Sequence, residues 1–177
     1  KINAPLRDIP QTVNVVTAEV MRDQHATSIQ DALKNVPGVS FSTGDGQRDQ
    51  VSIRGFSAIA DQFVDGIRDD ALYFRDLSNV DRIEVVKGPA AVLYGRGSSG
   101  GLINRVTKKP GLDVTDLALS YGSWQTRRAE ADVGRVVNDA AAWRITGAVE
   151  KGNSYRDQQF VKRHNFAPSI ALKLAAQ

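Results

Sequence analysis

The sequence contains no cysteine, which excludes a disulfide framework and a thiolate metal site. It has two histidines, His25 and His164, and neither has a second histidine at ligand spacing beside it, so no metal site is predicted. No uncharged run approaches the roughly 18 residues of a membrane helix. The 23 basic and 20 acidic residues are scattered, leaving a net charge of +3 and no block of one sign. No nucleic-acid partner is predicted from such a pattern. There is no internal repeat and no low-complexity linker. The length of 177 residues accommodates one domain and part of a second.

What is present is a run of punctuation around one stretch, DRIEVVKGPAAVLYGRGSSGGLINRVTKKPG, residues 81–111. Residues 82–86 are rich in β-branched side chains and predict a strand. Gly88-Pro89 ends it, because proline cannot donate to a ladder. Pro89 also suits the first position of a short helix over 90–94. A glycine cluster follows at Gly95, Gly97, Gly100 and Gly101. Residues 102–107 alternate apolar and polar, as a half-buried strand does.

Two short motifs inside this stretch mislead. Residues 95–100 match G-x-G-x-x-G, but a dinucleotide site needs a strand before it and a helix after it. Here the order is reversed. Residues 97–101 match G-x-S-x-G, and Asp132 and His164 follow in hydrolase order. A nucleophile elbow at Ser99 also requires a strand-to-helix turn on a mostly parallel sheet. Ser98 and Ser99 read better as turn residues, and a serine hydrolase is a distant alternative.

Before this stretch the chain predicts short, mixed elements. Residues 9–17 are extended. Thr17 can cap a helix from Ala18 to about Gln24. Ser28 can cap a second over 29–35, with Asp31 completing a capping box and Pro37-Gly38 stopping it. Strands are predicted over 39–42 and 51–56, with a polar loop over 43–49 between them. Residues 62–68 read as a hairpin on a type I′ Asp65-Gly66 turn. A loop over 69–76 carries Tyr73, Phe74 and Arg75. Residues 1–111 thus predict an α/β domain with a mixed sheet.

After Gly111 the pattern changes. Residues 116–123, 127–135, 141–150 and 165–174 each alternate and approach the 9–11 residues of a membrane-crossing strand. Ala129, Ala131 and Val133 oppose Arg128, Glu130 and Asp132. Trp143, Ile145, Gly147 and Val149 oppose Arg144, Thr146 and Glu150. Ile170, Leu172 and Leu174 oppose Ser169, Ala171 and Lys173. A short turn lies at Val137-Asn138-Asp139 and a longer polar loop over 151–164. An antiparallel sheet of a soluble protein alternates in the same way, so these residues leave both readings open.

The stretch VDRIEVVKGPAAVLYGRGSSGGLINRVTKKP resembles the plug-domain signature of TonB-dependent siderophore receptors. DIPQTVNVVT, SIQDALKNVPGV and IRGF resemble other parts of the same domain. The resemblance covers residues 1 to about 110 and implies a plug at 1–111. Residues 112–177 would then be the first four antiparallel strands of an incomplete transmembrane β-barrel, since plugged transporters have about 22 strands. The chain opens on Lys1-Ile2-Asn3-Ala4-Pro5, with no signal-peptide pattern. The resemblance places an export signal and a TonB-contacting box upstream.

The implied protein is a receptor in the outer membrane of a Gram-negative bacterium. It would bind a ferric siderophore and work with the TonB complex of the inner membrane, with outer-membrane lipid around its barrel. No substrate bond is broken, so no enzyme is implied, and no cofactor. The chelate already satisfies its iron, so the receptor needs donors, cations and aromatic faces. Arg48, Gln62, Tyr73, Phe74 and Arg75 are the candidate ligand-binding residues. Arg54, Glu84 and Lys87 are candidate anchors between plug and barrel. Lys87 stands where the family often has arginine, and an ammonium lacks the planar fork. The pattern leans toward catecholate-type or ferrichrome-type chelates. The alternatives are a receptor for cobalamin or a carbohydrate, or a transducer-type signalling receptor.

Overall fold

The computed structural model describes residues 12–42, 49–69, 71–88 and 100–173. The chain forms two units, Lys1–Thr107 and Lys108–Gln177. The predicted boundary after residue 111 lies four residues later than this division. The helix expected over 90–94, with Gly95 and Gly97 of the glycine cluster, lies outside the described residues.

In the first unit, strand β1 (Thr12–Thr17) runs into helix α1 (Ala18–Asp23). The Thr17 side chain accepts a hydrogen bond from the Val20 amide at 3.4 Å, which satisfies a donor the helix leaves free. Helix α2 (Ile29–Leu33) carries the expected capping box: Ser28 accepts from the Asp31 amide and Asp31 accepts from the Ser28 amide. Its Ile29, Ala32 and Leu33 are buried.

Strand β2 (Val39–Ser42) pairs with β3 (Gln50–Ile53), and β3 with β4 (Phe56–Ser57), as a three-stranded antiparallel sheet. The single strand expected over 51–56 is therefore a hairpin. Arg54 and Gly55 both take positive φ, 52° and 84°, and two such residues make the tight turn that a twisted hairpin favours.

The main sheet contains β5 (Gln62–Val64), β6 (Ile67–Arg68), β7 (Val80–Lys87) and β8 (Gly101–Thr107), in the order β1-β7-β8-β5-β6. Only β5 and β8 run parallel, so the sheet is mixed as predicted. Asp65 and Gly66 have φ of 51° and 84° and close the β5–β6 hairpin. Asp65 also accepts from the Thr107 amide and hydroxyl, which ties this turn to the end of β8. Strand β8 is buried on both faces from Gly101 to Val106, not half-buried. Its central position between β7 and β5 is the reason. A Cβ at Gly100 would lie 2.2 Å from the Ile53 carbonyl, and one at Gly101 2.2 Å from that of Val86. This pair is glycine because backbone fills the space a side chain would need.

One face of the sheet meets both helices in a core containing Met21, Ile29, Leu33, Ile53, Ile83, Val85 and Ile103. A smaller cluster holds Phe63, Val86 and Leu102, with Val13 packed against it.

The second unit is a four-stranded antiparallel sheet, β12-β11-β10-β9. Its strands are β9 (Val114–Tyr121), β10 (Arg127–Asn138), β11 (Ala141–Asn153) and β12 (Phe160–Leu172). Strand β9 keeps the predicted length but starts two residues early, β10, β11 and β12 are longer than predicted, and β12 begins five residues before the expected 165. The loop between β11 and β12 shrinks accordingly to 154–159, opposite a two-residue turn at Asp139 and Ala140. Cross-strand partners share a face, so register sorts the side chains. Leu119, Ala129, Val149 and His164 form one row, and Leu117, Ala131, Gly147 and Phe166 another. The alternate face holds Arg128, Glu130, Asp132, Arg144 and Glu150. Leu119 is 86% exposed and Ile170 72%, while Arg128, Asp132 and Thr146 are buried. Trp143 is only half-buried and Leu174 lies outside the described residues.

Candidate functional site

The loop between β6 and β7 is built around Arg75. Its side chain is 1% exposed, and its donors are turned inward. The backbone amide donates to Asp49 at 2.9 Å. Nε donates to Asp69 at 3.3 Å, Nη1 to the Tyr73 carbonyl at 3.2 Å, and Nη2 to the carbonyls of Asp69 and Ala71. The guanidinium lies 4.4 Å from the centre of the Tyr73 ring.

Asp69 is the counter-charge. It accepts from Arg75, from Arg105 of β8 and, at 2.7 Å, from the Tyr73 hydroxyl. Burial alone would raise its pKa. The Tyr73 hydroxyl and the charges of Arg75 and Arg105 outweigh that and hold it below the ordinary aspartate value.

The expectation that Arg75 is a solvent-facing clamp is therefore corrected. Four groups of its own loop, the Asp69 carboxylate and the carbonyls of Asp69, Ala71 and Tyr73, occupy a fork that can serve only so many acceptors. Gln62 is corrected for a different reason. It is fully buried in β5, and among the described residues neither end of its amide has a protein partner. Tyr73 is 43% exposed and Phe74 is half-buried. Arg48 lies outside the described residues. Asp49 meets Arg75 of the 69–76 loop, and residues 43–48 lie outside the described residues. Asp69, Asp49 and Arg105 were not singled out from sequence. The only signal was an alternation of charge, with acids at 69 and 76 around Arg75 and a basic residue on the neighbouring strand.

The anchor candidates also divide. Glu84 accepts from Arg82 and from Asn104, each at 2.9 Å, and Asn104 is its direct cross-strand partner. Its carboxylate is engaged inside this unit, which corrects the expectation of a free anchor. Arg54 is exposed at its turn. Its Nη1 would lie 3.8 Å from a Cβ at Gly88, next to Lys87. Lys87 is 9% exposed, and burial, then the charge of Arg54, lowers its pKa. Two cations close together with no carboxylate partner among the described residues can accept an acidic group.

Comparison with known proteins places this geometry. Residues 5–102 match the TonB-dependent receptor plug domain. Over 98% of its length the chain is 38% identical to the catecholate siderophore receptor Fiu of Escherichia coli K12. Over 96% it is 33% identical to the ferrioxamine receptor of Yersinia enterocolitica. It spans about a quarter of these relatives, 24% and 26%. The crystal structure of Fiu superposes with a TM-score of 0.87 over 95% of this chain and 25% of Fiu. That of the ferripyoverdine receptor of Pseudomonas aeruginosa superposes at 0.88, with 29% identity, over 97% of this chain and 24% of that receptor.

Proposed function

The chain belongs to the TonB-dependent receptor plug-domain family, and from that premise we propose that it is the plug and first barrel strands of an outer-membrane receptor for a ferric siderophore. The observation that carries this is the inverted second unit. A plug fold is followed directly by strands that expose Leu117, Leu119, Phe166 and Ile170 and bury Arg128 and Asp132. That is the sidedness of a barrel wall, apolar outside and polar within.

Tyr73 and Phe74 offer aromatic surface to the chelate. Arg75 positions them by fixing the loop from beneath. Similarity to Fiu supports a catecholate-type ligand. Arg54 and Lys87 anchor the plug to acidic groups of the barrel, and the TonB complex supplies the work that rearranges it. The receptor moves its ligand without bond chemistry.

The test is uptake of radioactive iron by a Gram-negative strain lacking its own siderophore receptors and carrying the full-length protein. Iron delivered as a catecholate chelate should accumulate, and accumulation should vanish when TonB is deleted. No uptake from any of a panel of catecholate, hydroxamate and mixed chelates would overturn the reading. TonB-independent uptake would overturn the proposed energy coupling.

A further inference from the structure

Residues 108–113 connect β8 to β9. They include Lys108, Lys109, Pro110 and Gly111, the composition of a loose connection. The segment is instead held along its length by the second unit, to which it belongs. The Lys108 ammonium lies 2.8 Å from the Asp132 carboxylate. Arg144 donates to both oxygens of the same carboxylate, through Nε and Nη2, each at 2.8 Å. Its Nη1 donates to the Lys109 carbonyl at 3.0 Å. Asp113 accepts from the Val136 amide at 2.7 Å, and Arg135 donates to the Val114 carbonyl at 2.8 Å. Gly134 completes the seat. A Cβ there would lie 2.9 Å from the Leu112 carbonyl, so a glycine lets the segment lie this close.

Asp132 is the centre of this arrangement. It is 8% exposed, and the Lys108 and Arg144 side chains that meet it are largely buried. Exposed ion pairs contribute little, but a fork bonded to both carboxylate oxygens away from water is among the strong pairings. Asp116 stands directly opposite Asp132 on β9, and like charges so placed repel. The two cations therefore offset a repulsion within the sheet while they hold the chain to it. One residue earlier, Thr107 gives its amide and hydroxyl to Asp65 inside the first unit. Consecutive residues are thus each fixed within their own unit, and no slack residue separates them.

We propose that Asp132 is a positioning residue for transport: with Arg144 it clasps the segment leaving the plug to the barrel wall, and it stays closed while the plug rearranges. The movable part of the receptor then ends at Thr107. The inference rests on the receptor reading above.

The experiment uses the full-length receptor in a Gram-negative strain, with uptake of radioactive iron as its catecholate complex normalised to receptor in the outer membrane. Lys108→Cys with Asp132→Cys lets a short, reducible bis-thiosulfonate cross-link take the place of the ion pair. Cross-linked receptor should transport like the wild type, and reduction, which opens the clasp, should lower its maximal rate. The opposite sign, an inactive cross-linked receptor that reduction revives, would show that the clasp must open and would overturn the proposal. A second variant decides where the cysteine pair does not reach the membrane. Asp132→Asn should speed hydrogen exchange of the Val114 and Val136 amides by roughly tenfold, the equivalent of one charge-assisted hydrogen bond. It should lower the maximal rate of uptake and leave binding of the catecholate complex unchanged, and Asp132→Glu should restore both exchange and rate. Wild-type uptake by Asp132→Asn, or unaltered exchange at those amides, also overturns the clasp. Absence of TonB-dependent uptake by the wild type would instead overturn the reading beneath it.

Discussion

The two units solve opposite problems with the same alphabet. In the first, the least exposed side chains include Ile29, Leu33, Ile53, Ile83 and Ile103. In the second, Arg128, Asp132 and Thr146 are buried while Leu117, Leu119, Phe166 and Ile170 are exposed. The first follows the rule of a water-surrounded domain, in which apolar area leaves water. The second obeys it only if its outward face meets hydrocarbon. The difference teaches that alternation alone carries no direction, and that direction comes from where the charges find partners.

The largest effects should come from reversing each unit's choice. Ile83→Ala removes a side chain at the centre of the first core and should destabilise that unit by about 2–5 kcal/mol. Hydrogen exchange of the β7 and β8 amides in the full-length receptor would read it as lost protection. Unchanged protection would mean the core does not set this unit's stability. Ile145→Arg places a charge on the outward face of β11 and should cost roughly 2–4 kcal/mol near the bilayer midplane. Its measure is the yield of receptor inserted in outer membranes. Normal insertion would erase the contrast between the units.

A smaller effect sharpens the exception within the first unit, which buries the Arg75 side chain to 1% exposure. Arg75→Met should cost about 3 kcal/mol, because Asp69 and three loop carbonyls lose their donors. Arg105 remains to limit the loss. The Asp69 pKa lies below its ordinary 3.8, so the unfolded chain binds more protons between the two values. The network's contribution is complete above that range and is lost as pH falls through the folded value. Acid titration of the wild type should show this limb, and Arg75→Met should flatten it. An unaltered acid limb would remove Asp69 as its source.

Much of this fold was legible wherever the deciding interaction is local. Thr17 and Ser28 cap helices within three residues, and Asp65-Gly66 forms its turn alone. Strand ends were less legible. The start of β12 at Phe160 depends on pairing with Asn153, which no local pattern of the Lys162–His164 region announces. The site was the least legible part. Arg75 among aspartates and aromatics has the composition of a ligand clamp. It is an internal staple because Asp49, 26 residues upstream, and Arg105, on another strand, converge on the same loop. Such convergence is a property of topology, and residue spacing does not carry it.

The smallest predicted effect isolates what the loop offers once Arg75 is assigned to the interior. Tyr73 has two parts with separate partners. Its hydroxyl donates to Asp69 at 2.7 Å and its ring covers the Arg75 guanidinium at 4.4 Å, yet the residue remains 43% exposed. If the ring's free face meets the chelate, Tyr73→Ala in the full-length receptor should weaken ferric-chelate binding by about 1 kcal/mol. Tyr73→Phe keeps the ring and should lose less than half as much. Its missing hydroxyl would appear instead as a small rise in the Asp69 pKa. Calorimetry with the chelate and an acid titration separate the two parts. Equal losses of affinity in both variants would shift the contact to the hydroxyl. Unchanged affinity in Tyr73→Ala would take this loop out of the ligand site and leave the Arg75 network as scaffold only.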